Sequence, residues 1–419
     1  MSATRTVVIC GGGVIGLSSA YYLLQRGHRV TVLERGGADR DCCSLGNAGL
    51  ISPSHILPLA APGIVGQALR WMGDPESPFH VRARLDASFL SWGYRFWRAS
   101  NAKRAHRAGP LLRDLNLRSR ALYEDLAARA GNDFDLSRDG LLMLFRSKRA
   151  LDVEALHASR VRELGMPVEL LGADQVATLE PDLTVDAIGG VFYPLDAHVT
   201  PQRLIPTLAR LVVEGGGRIA WDAELTDWRV ERRGIRAAIT TQGEVCGDEF
   251  VLAAGSWSAA IARKLELRLP LEPGKGYSLT LERPRERPRR ALLLEEARVA
   301  VTPMGASLRV GGTMELAGFD PRVNPRRVRG LIRSVLRYLP AFREEDFAPV
   351  RPWQGFRPLS PDGLPYIGRT RRFDNLAVAA GHAMMGLSMG PITGLLIAEL
   401  LSGERPSVDL APLSPDRYA

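Results

Sequence analysis

The stretch VVICGGGVIGLSSAYYLLQRGHRVTVLER, residues 7–35, constrains the fold more than any other part of this chain. An apolar run from Thr6 to Ile9 reads as a buried strand, and glycines follow at Gly11, Gly13 and Gly16. An apolar helical pattern then runs from Val14 to Arg26, and a second strand from Arg29 to Leu33 is followed by Glu34. Gly11 permits a tight turn, Gly13 lets the backbone approach a pyrophosphate closely, and Gly16 lets helix and strand pack together. The phosphates then sit on unpaired N–H groups at the positive end of the helix, around Gly13, Val14 and Ile15. Glu34 stands where a carboxylate accepts hydrogen bonds from adenosine ribose hydroxyls. Ala20, Leu23, Gly27 and Val30 continue the pattern of a full dinucleotide-binding β-α-β unit, which an accidental glycine-rich turn would not do. NAD and FAD share the ADP half, so this unit alone leaves both open.

The chain has 419 residues, room for one large domain or two interleaved ones. Hydrophobic content of 45% and charged content of 24% are ordinary globular values, which excludes long disorder. The formal net charge of +9 comes mostly from scattered arginines, dense only in RPRERPRR (283–290) and RRVRGLIR (326–333). No nucleic-acid motif accompanies them, so no nucleic-acid partner is expected, while attraction to an anionic membrane surface stays open. Cys10, Cys42, Cys43 and Cys246 lack the spacing of a zinc site, and adjacent cysteines do not easily close an ordinary disulfide. No metal is expected, and a reducing compartment fits. The N-terminus opens on a strand without a signal-peptide pattern, and no apolar run reaches spanning length. The expected location is cytoplasmic, with peripheral attachment at the inner face of the cell membrane as a variant.

Residues 42–63 are rich in Gly, Pro and Ser without a helical or strand period, and read as a long irregular segment beside the cofactor site. Helical periodicity covers 84–131, strand signals 140–145, and a helix 154–165. Residues 201–220 read as helix, glycine stop and strand, and 224–257 as a meander ending in a buried strand at Glu249–Ala253. Several strand-like runs fill 263–350, interrupted by an amphipathic helix at 325–338. Near the C-terminus come a short strand at Leu376–Ala379, a glycine-rich turn, and a helix with Pro391 in its first turn, where the missing N–H costs nothing. A second helix N-terminus preceded by glycines favours negative charge, such as that on the pyrimidine edge of a reduced flavin.

Taken together, the N-terminal unit, GNAGLISP, FVLAAGSWS, GFRPLSPDGLPYIG and AGHAMMGLSMGPITG span nearly the whole chain. In this combination the sequence resembles the D-amino-acid oxidase family of FAD-dependent amine oxidoreductases. Within it, SPSHILPLAAPG and GHAMMGLSMGP are similar to bacterial D-amino-acid dehydrogenases of the branch that oxidises D-proline or cis-4-hydroxy-D-proline. The resemblance implies an α/β (α+β) fold: a glutathione-reductase-like FAD-binding Rossmann domain interleaved with an antiparallel-sheet substrate domain. The expected FAD segments are 1–85, 195–262 and 355–419, and the substrate segments 86–194 and 263–354. It also implies non-covalent FAD held by Gly11, Gly13, Val14, Ile15, Gly16, Glu34 and Arg35. Asn47, Ala48 and Leu50 fall at the flavin ring, Gly255 and Gly381 follow the later strands, and Gly386, Leu387, Ser388 and Met389 form the start of the last helix.

Arg357 matches the arginine with which the family grips a substrate carboxylate, a task suited to a planar guanidinium that pairs both oxygens. Relatives often place a second arginine where Met384 and Met385 stand, so a two-arginine clamp is not expected, and a pyrrolidine ring would suit an apolar wall there. Tyr277 resembles a tyrosine that bonds the carboxylate or covers the site. His55 is a candidate for binding a substrate hydroxyl, and His382 for lining the site. Lys275 is expected to be solvated rather than to act on the flavin.

The expected substrate is a small D-amino acid or cyclic imino acid, oxidised to its imine by hydride transfer to flavin N5, with electrons passed to a respiratory or dye-like acceptor. Broad D-amino-acid dehydrogenation and glycine or sarcosine-type amine oxidation are the alternatives on the same fold. A structural flavoprotein subunit of a larger oxidoreductase is the alternative of another class, and an NAD-only enzyme would leave the C-terminal segment without a purpose. Oligomeric state is open.

Overall fold

The glycine-rich unit forms the centre of a six-stranded sheet. The computed structural model describes residues 4–74, 76–82 and 84–419; residues 1–3, 75 and 83 of the first expected FAD segment lie outside the described residues. The sheet order is Tyr366–Arg369, Leu376–Ala380, Glu249–Leu252, Thr6–Cys10, Arg29–Leu33, Arg218–Ala220. Thr6–Cys10 runs parallel to both its neighbours, and the edge strand Tyr366–Arg369 is antiparallel. The central strand is an unbroken apolar run because both its faces are covered. Val7 and Ile9 pack with Val14 and Leu17 of the first helix, Val14–Leu24. Val8 and Cys10 pack with Trp228, Ile235 and Ala238 of a three-stranded meander, Leu225–Cys246.

The first helix is buried from Val14 to Leu23, so its backbone must lie close to its neighbours. Gly11 makes the turn at φ +119°, and a Cβ on Gly16 would stand 1.8 Å from the Gly11 carbonyl oxygen. The last helix, Gly390–Leu401, crosses the first at an equally close approach: a Cβ on Gly394 would stand 2.5 Å from the backbone carbon of Ser18. That contact joins the two ends of the chain.

A second sheet carries Trp353–Leu359, Glu272–Leu281, Ser307–Leu316, Val299–Met304, Ala291–Leu294, Leu141–Phe145, Gly189–Tyr193 and Glu169–Gly172 in that order. Most of its pairs are antiparallel, but Ala291–Leu294 runs parallel to Leu141–Phe145, and Phe79–Val81 adds a parallel pair to Ser307–Leu316. The sheet is therefore mixed rather than purely antiparallel. The helix Pro325–Tyr338 covers one face through Leu331 and Val335. Trp353–Leu359 belongs to this sheet, so the boundary expected at 354/355 falls inside a strand.

The helical region expected over 84–131 is two helices, Ala87–Ala99 and Ala102–Arg129. The break comes at Asn101, whose side chain accepts the Arg104 N–H at 3.1 Å and starts the second helix. Leu112, Leu115, Tyr123 and Leu126 of this long helix join the core around the first and last helices. Residues 42–63 are irregular apart from Leu50–Ile51, which pairs with Ala197–His198. A short helix not foreseen in the sequence, Ile64–Trp71, follows.

Gly394→Val should lower the thermal midpoint, because overpacking of this kind costs about 1–3 kcal/mol and here nothing but backbone can yield. A midpoint equal to that of the parent in a melting experiment would contradict the close-approach account.

Candidate active site

A cavity of 1430 Å³ lies between the first glycine-rich turn, the irregular segment and the open face of the second sheet. Gly11, Gly13, Val14 and Ile15 line it at one end, with Glu34 and Arg35 beside them. The first helix has no acidic residue in its first turn and no side-chain cap on Gly13. The Val14 N–H donates to Ser44 Oγ at 3.1 Å, whereas the N–H groups of Gly13, Ile15 and Gly16 donate to none of the described residues. A Cβ on Gly13 would meet only Ser44 Oγ, at 3.4 Å, so its side toward the cavity is kept clear. Glu34 accepts the N–H of Gly12 at 2.8 Å and that of Gly36 at 3.0 Å, which fixes its carboxylate at the cavity rim. The Arg35 guanidinium lies 3.7 Å over the Trp257 ring, and Gly255 lines the cavity nearby.

Asn47, Ala48 and Leu50 form the next part of the wall. Arg309, a residue missed in the sequence, holds this loop against the second sheet by donating to the carbonyls of Leu45 at 2.7 Å and Asn47 at 2.9 Å. Its burial pulls its pKa down to about 10. Gly311, whose Cβ position lies 3.5 Å from the Ala48 Cβ, lets the loop lie flat on the strand.

At the C-terminal turn, Gly386 and Leu387 line the cavity, while Ser388, Met389 and Gly381 are set behind it. The N–H groups of Gly386, Leu387 and Ser388 donate to none of the described residues. Their carbonyls point elsewhere: Tyr123 donates to the Leu387 oxygen at 2.7 Å and Ser119 to the Ser388 oxygen at 2.6 Å. Ser388 Oγ donates to Asn116 at 2.7 Å and accepts the Ser52 N–H at 3.1 Å. Asn116, Ser119 and Tyr123 stand on one face of the long helix at i, i+3 and i+7. That polar stripe within an apolar face was the signal available in the sequence.

Arg357 reaches the cavity from the edge strand of the second sheet and donates to the Thr313 carbonyl at 2.8 Å. Its other guanidinium nitrogens donate to none of the described residues. A Cβ on Gly276 would collide with the guanidinium, so the glycine gives it its place. Burial lowers the Arg357 pKa, and the nearby Cys43 is held as a neutral thiol because burial pushes it up to about 11. Met384 and Met385 line the same cavity. Tyr277 also lines it, but its hydroxyl accepts the Asn324 N–H at 3.1 Å, on the side of the covering helix. Lys275 is not solvated as expected: it is buried, 3.0 Å from the Glu315 carboxylate, and donates to the Asp320 and Arg322 carbonyls.

His55 and His382 both line the cavity, and burial lowers their pKa values to about 4 and about 3. His382 Nε2 bonds Thr393 Oγ1 at 2.9 Å, which ties it to the last helix. Beside His55, Asp196 accepts the Ser54 N–H at 2.9 Å and the Ser54 hydroxyl at 2.7 Å, and so anchors the irregular segment.

Two entrances with unpaired backbone donors, a clear Cβ-free cradle at Gly13 and a carboxylate at the rim fit a long anionic dinucleotide, with a polar contact for its far ring end at Gly386 and Leu387. The chain belongs to the DAO family of FAD-dependent oxidoreductases, whose family model matches residues 6–400. FAD is its cofactor. The chain is 34% identical over 418 residues to a D-amino acid dehydrogenase of Granulibacter bethesdensis, covering 99% of both, and 36% identical to one of Cereibacter sphaeroides, covering 98% of this chain and 95% of that one. Among solved structures it is similar to glycine oxidase from Geobacillus kaustophilus, with TM-score 0.79, 26% identity and coverage of 99% of this chain and 100% of the other. A likeness of fold alone relates it to L-proline dehydrogenase from P. horikoshii, with TM-score 0.74, 18% identity and coverage of 100% and 98%.

Burial raises the Asp196 carboxyl to about 7, against roughly 3.9 in an unfolded chain. Between those values the unfolded state has lost the proton and the folded state keeps it, so this group's contribution to stability is full at the acidic end and is lost as pH rises toward 7. Asp196→Asn should therefore flatten the fall of thermal midpoint across this range. Parallel slopes for parent and variant would show that Asp196 does not titrate in this way.

Proposed function

We propose that this chain is a dehydrogenase that oxidises a D-amino acid of the D-proline or cis-4-hydroxy-D-proline type to its imine. Arg357 carries the reading: an arginine at the cavity wall, with free donors and an apolar pair of methionines on the same cavity, suits a carboxylate attached to a small apolar ring. The names of the curated relatives support amino-acid dehydrogenation, and the wider reading, a dehydrogenase of many D-amino acids, rests on them as well.

Bound FAD supplies the acceptor for the hydride. The protein's part is then placement. Arg357 takes the carboxylate and so sets which face of the α-carbon is presented, while the wall of Met384 and Met385 packs the ring and excludes water. The neutral imidazoles of His55 and His382 leave no added positive charge near a substrate that must react with its amine unprotonated. Asn47, Ala48 and Leu50 from one side, and Gly386 and Leu387 from the other, would hold the flavin end non-covalently.

The electron acceptor is proposed to be a respiratory one met at the membrane surface. No helix among the described residues is long and apolar enough to cross a membrane. The helices Ile64–Trp71 and Ala87–Ala99, however, expose Leu69, Leu90 and Trp97 beside Arg70 and Arg98, which suits peripheral contact with an anionic surface.

Arg357→Ala should raise KM for the D-amino acid by about 30-fold or more, with FAD content unchanged, since removing a desolvated charge partner costs about 2–5 kcal/mol. Steady-state kinetics on the FAD-loaded variant check this. An unchanged KM would remove Arg357 from substrate binding.

A further inference from the structure

Away from Arg357, the cavity ends in a group of polar side chains that the proposed reaction does not use. Glu154 and His157 of the helix Lys148–Glu163 and Glu295 and Arg298 of a hairpin turn all line it, as does His55. Glu154 accepts from the Tyr193 hydroxyl at 2.5 Å and bonds His157 Nδ1 at 2.9 Å. Arg298, at φ +54°, pairs with one Glu295 oxygen at 2.6 Å. Glu295 is 8% exposed, yet its second oxygen has no partner among the described residues, and neither has His157 Nε2. An unpaired buried acceptor costs about 1–3 kcal/mol, so this pair of atoms is set for a ligand.

Strand register gives the span. Arg357 donates to Thr313. The pairing of Gly311 with Ala300 brings Thr313 level with Arg298, and Ala300 pairs in turn with Leu293, just before the turn that holds Glu295. Two strand spacings separate Thr313 from Glu295, roughly 10 Å. That separation is on the scale of a small amino acid with a hydrogen-bonding group at each end.

We propose that Glu295, with His157 beside it, is the specificity-determining pole of the site, binding a hydroxyl on the distal carbon of the substrate. The proposal rests on the reading that Arg357 holds the substrate carboxylate. A hydroxyl, donor and acceptor at once, fits both free atoms: it donates to the Glu295 oxygen and accepts from His157 Nε2 when that ring carries a proton on Nε2 as well as on the Nδ1 that faces Glu154. An ammonium fits less well, because Arg298 already neutralises Glu295 and burial raises that carboxyl to about 7.

The test compares kcat/KM for cis-4-hydroxy-D-proline and D-proline in the FAD-loaded full chain, its E295L and E295Q variants, and H157F. The parent should favour the hydroxylated substrate by at least about tenfold, the value of a hydrogen bond to a charged group. E295L should bring the ratio close to one, through a loss on the hydroxylated substrate that exceeds any change on D-proline. Should E295L lose flavin or melt early, E295Q and H157F carry the test, each lowering the ratio. A parent ratio near one, or variants with the parent ratio and normal flavin content, would overturn the pole. Turnover of neither ring substrate would instead overturn the proline-type reading itself, and the pole with it.

Discussion

Backbone N–H groups without partners are the constraint on which the rest of the structure depends. A folded chain pairs nearly all its buried donors, yet here two helix entrances keep several without partners among the described residues beside one cavity, at Gly13 and Ile15 and at Gly386 and Leu387. On the proposed reading their partner is the cofactor, which would link cofactor binding to folding stability. To bring both entrances to one cavity, the first and last helices must lie almost backbone to backbone, which Gly394 against Ser18 permits. The two termini of the chain thus build one site.

Holding those donors in place falls to residues far away in sequence. The long helix Ala102–Arg129 takes the carbonyls of Leu387 and Ser388, and so fixes the turn whose Gly386 and Leu387 line the cavity. Arg309 does the corresponding work for Asn47, from a strand of the other sheet. The second sheet is consequently more than a cover for the substrate. It clamps the loop of Asn47 and Ala48 that lines the cavity, and its own open face carries a cationic end at Arg357 and an acidic end at Glu295.

What could be read in the sequence was what the backbone demands locally. The glycine spacing from Gly11 to Gly16, the acid at Glu34 and the Pro391 helix start are set by turn geometry and by the electrostatics of helix ends, so short windows reveal them. The long-range partners were not legible. Lys275 looked like a solvated lysine because the Glu315 that buries it lies on a neighbouring strand, and register between strands is not written in either one. The Tyr277 hydroxyl is taken by Asn324 for the same reason. Asp196 and Arg309 each depend on a contact made across the fold, and only the i, i+3, i+7 stripe of Asn116, Ser119 and Tyr123 left a trace in its own segment. The broken helix at Asn101 shows the reverse case, a local cap that periodicity alone passed over.

The most direct test of the account is the absorbance of the FAD-loaded protein under anaerobic conditions on addition of D-proline, D-alanine and their L enantiomers in turn. The account predicts bleaching of the flavin band by the D enantiomers, D-proline above all, and none by the L forms. Bleaching by L enantiomers alone, or by no amino acid at all, would contradict it.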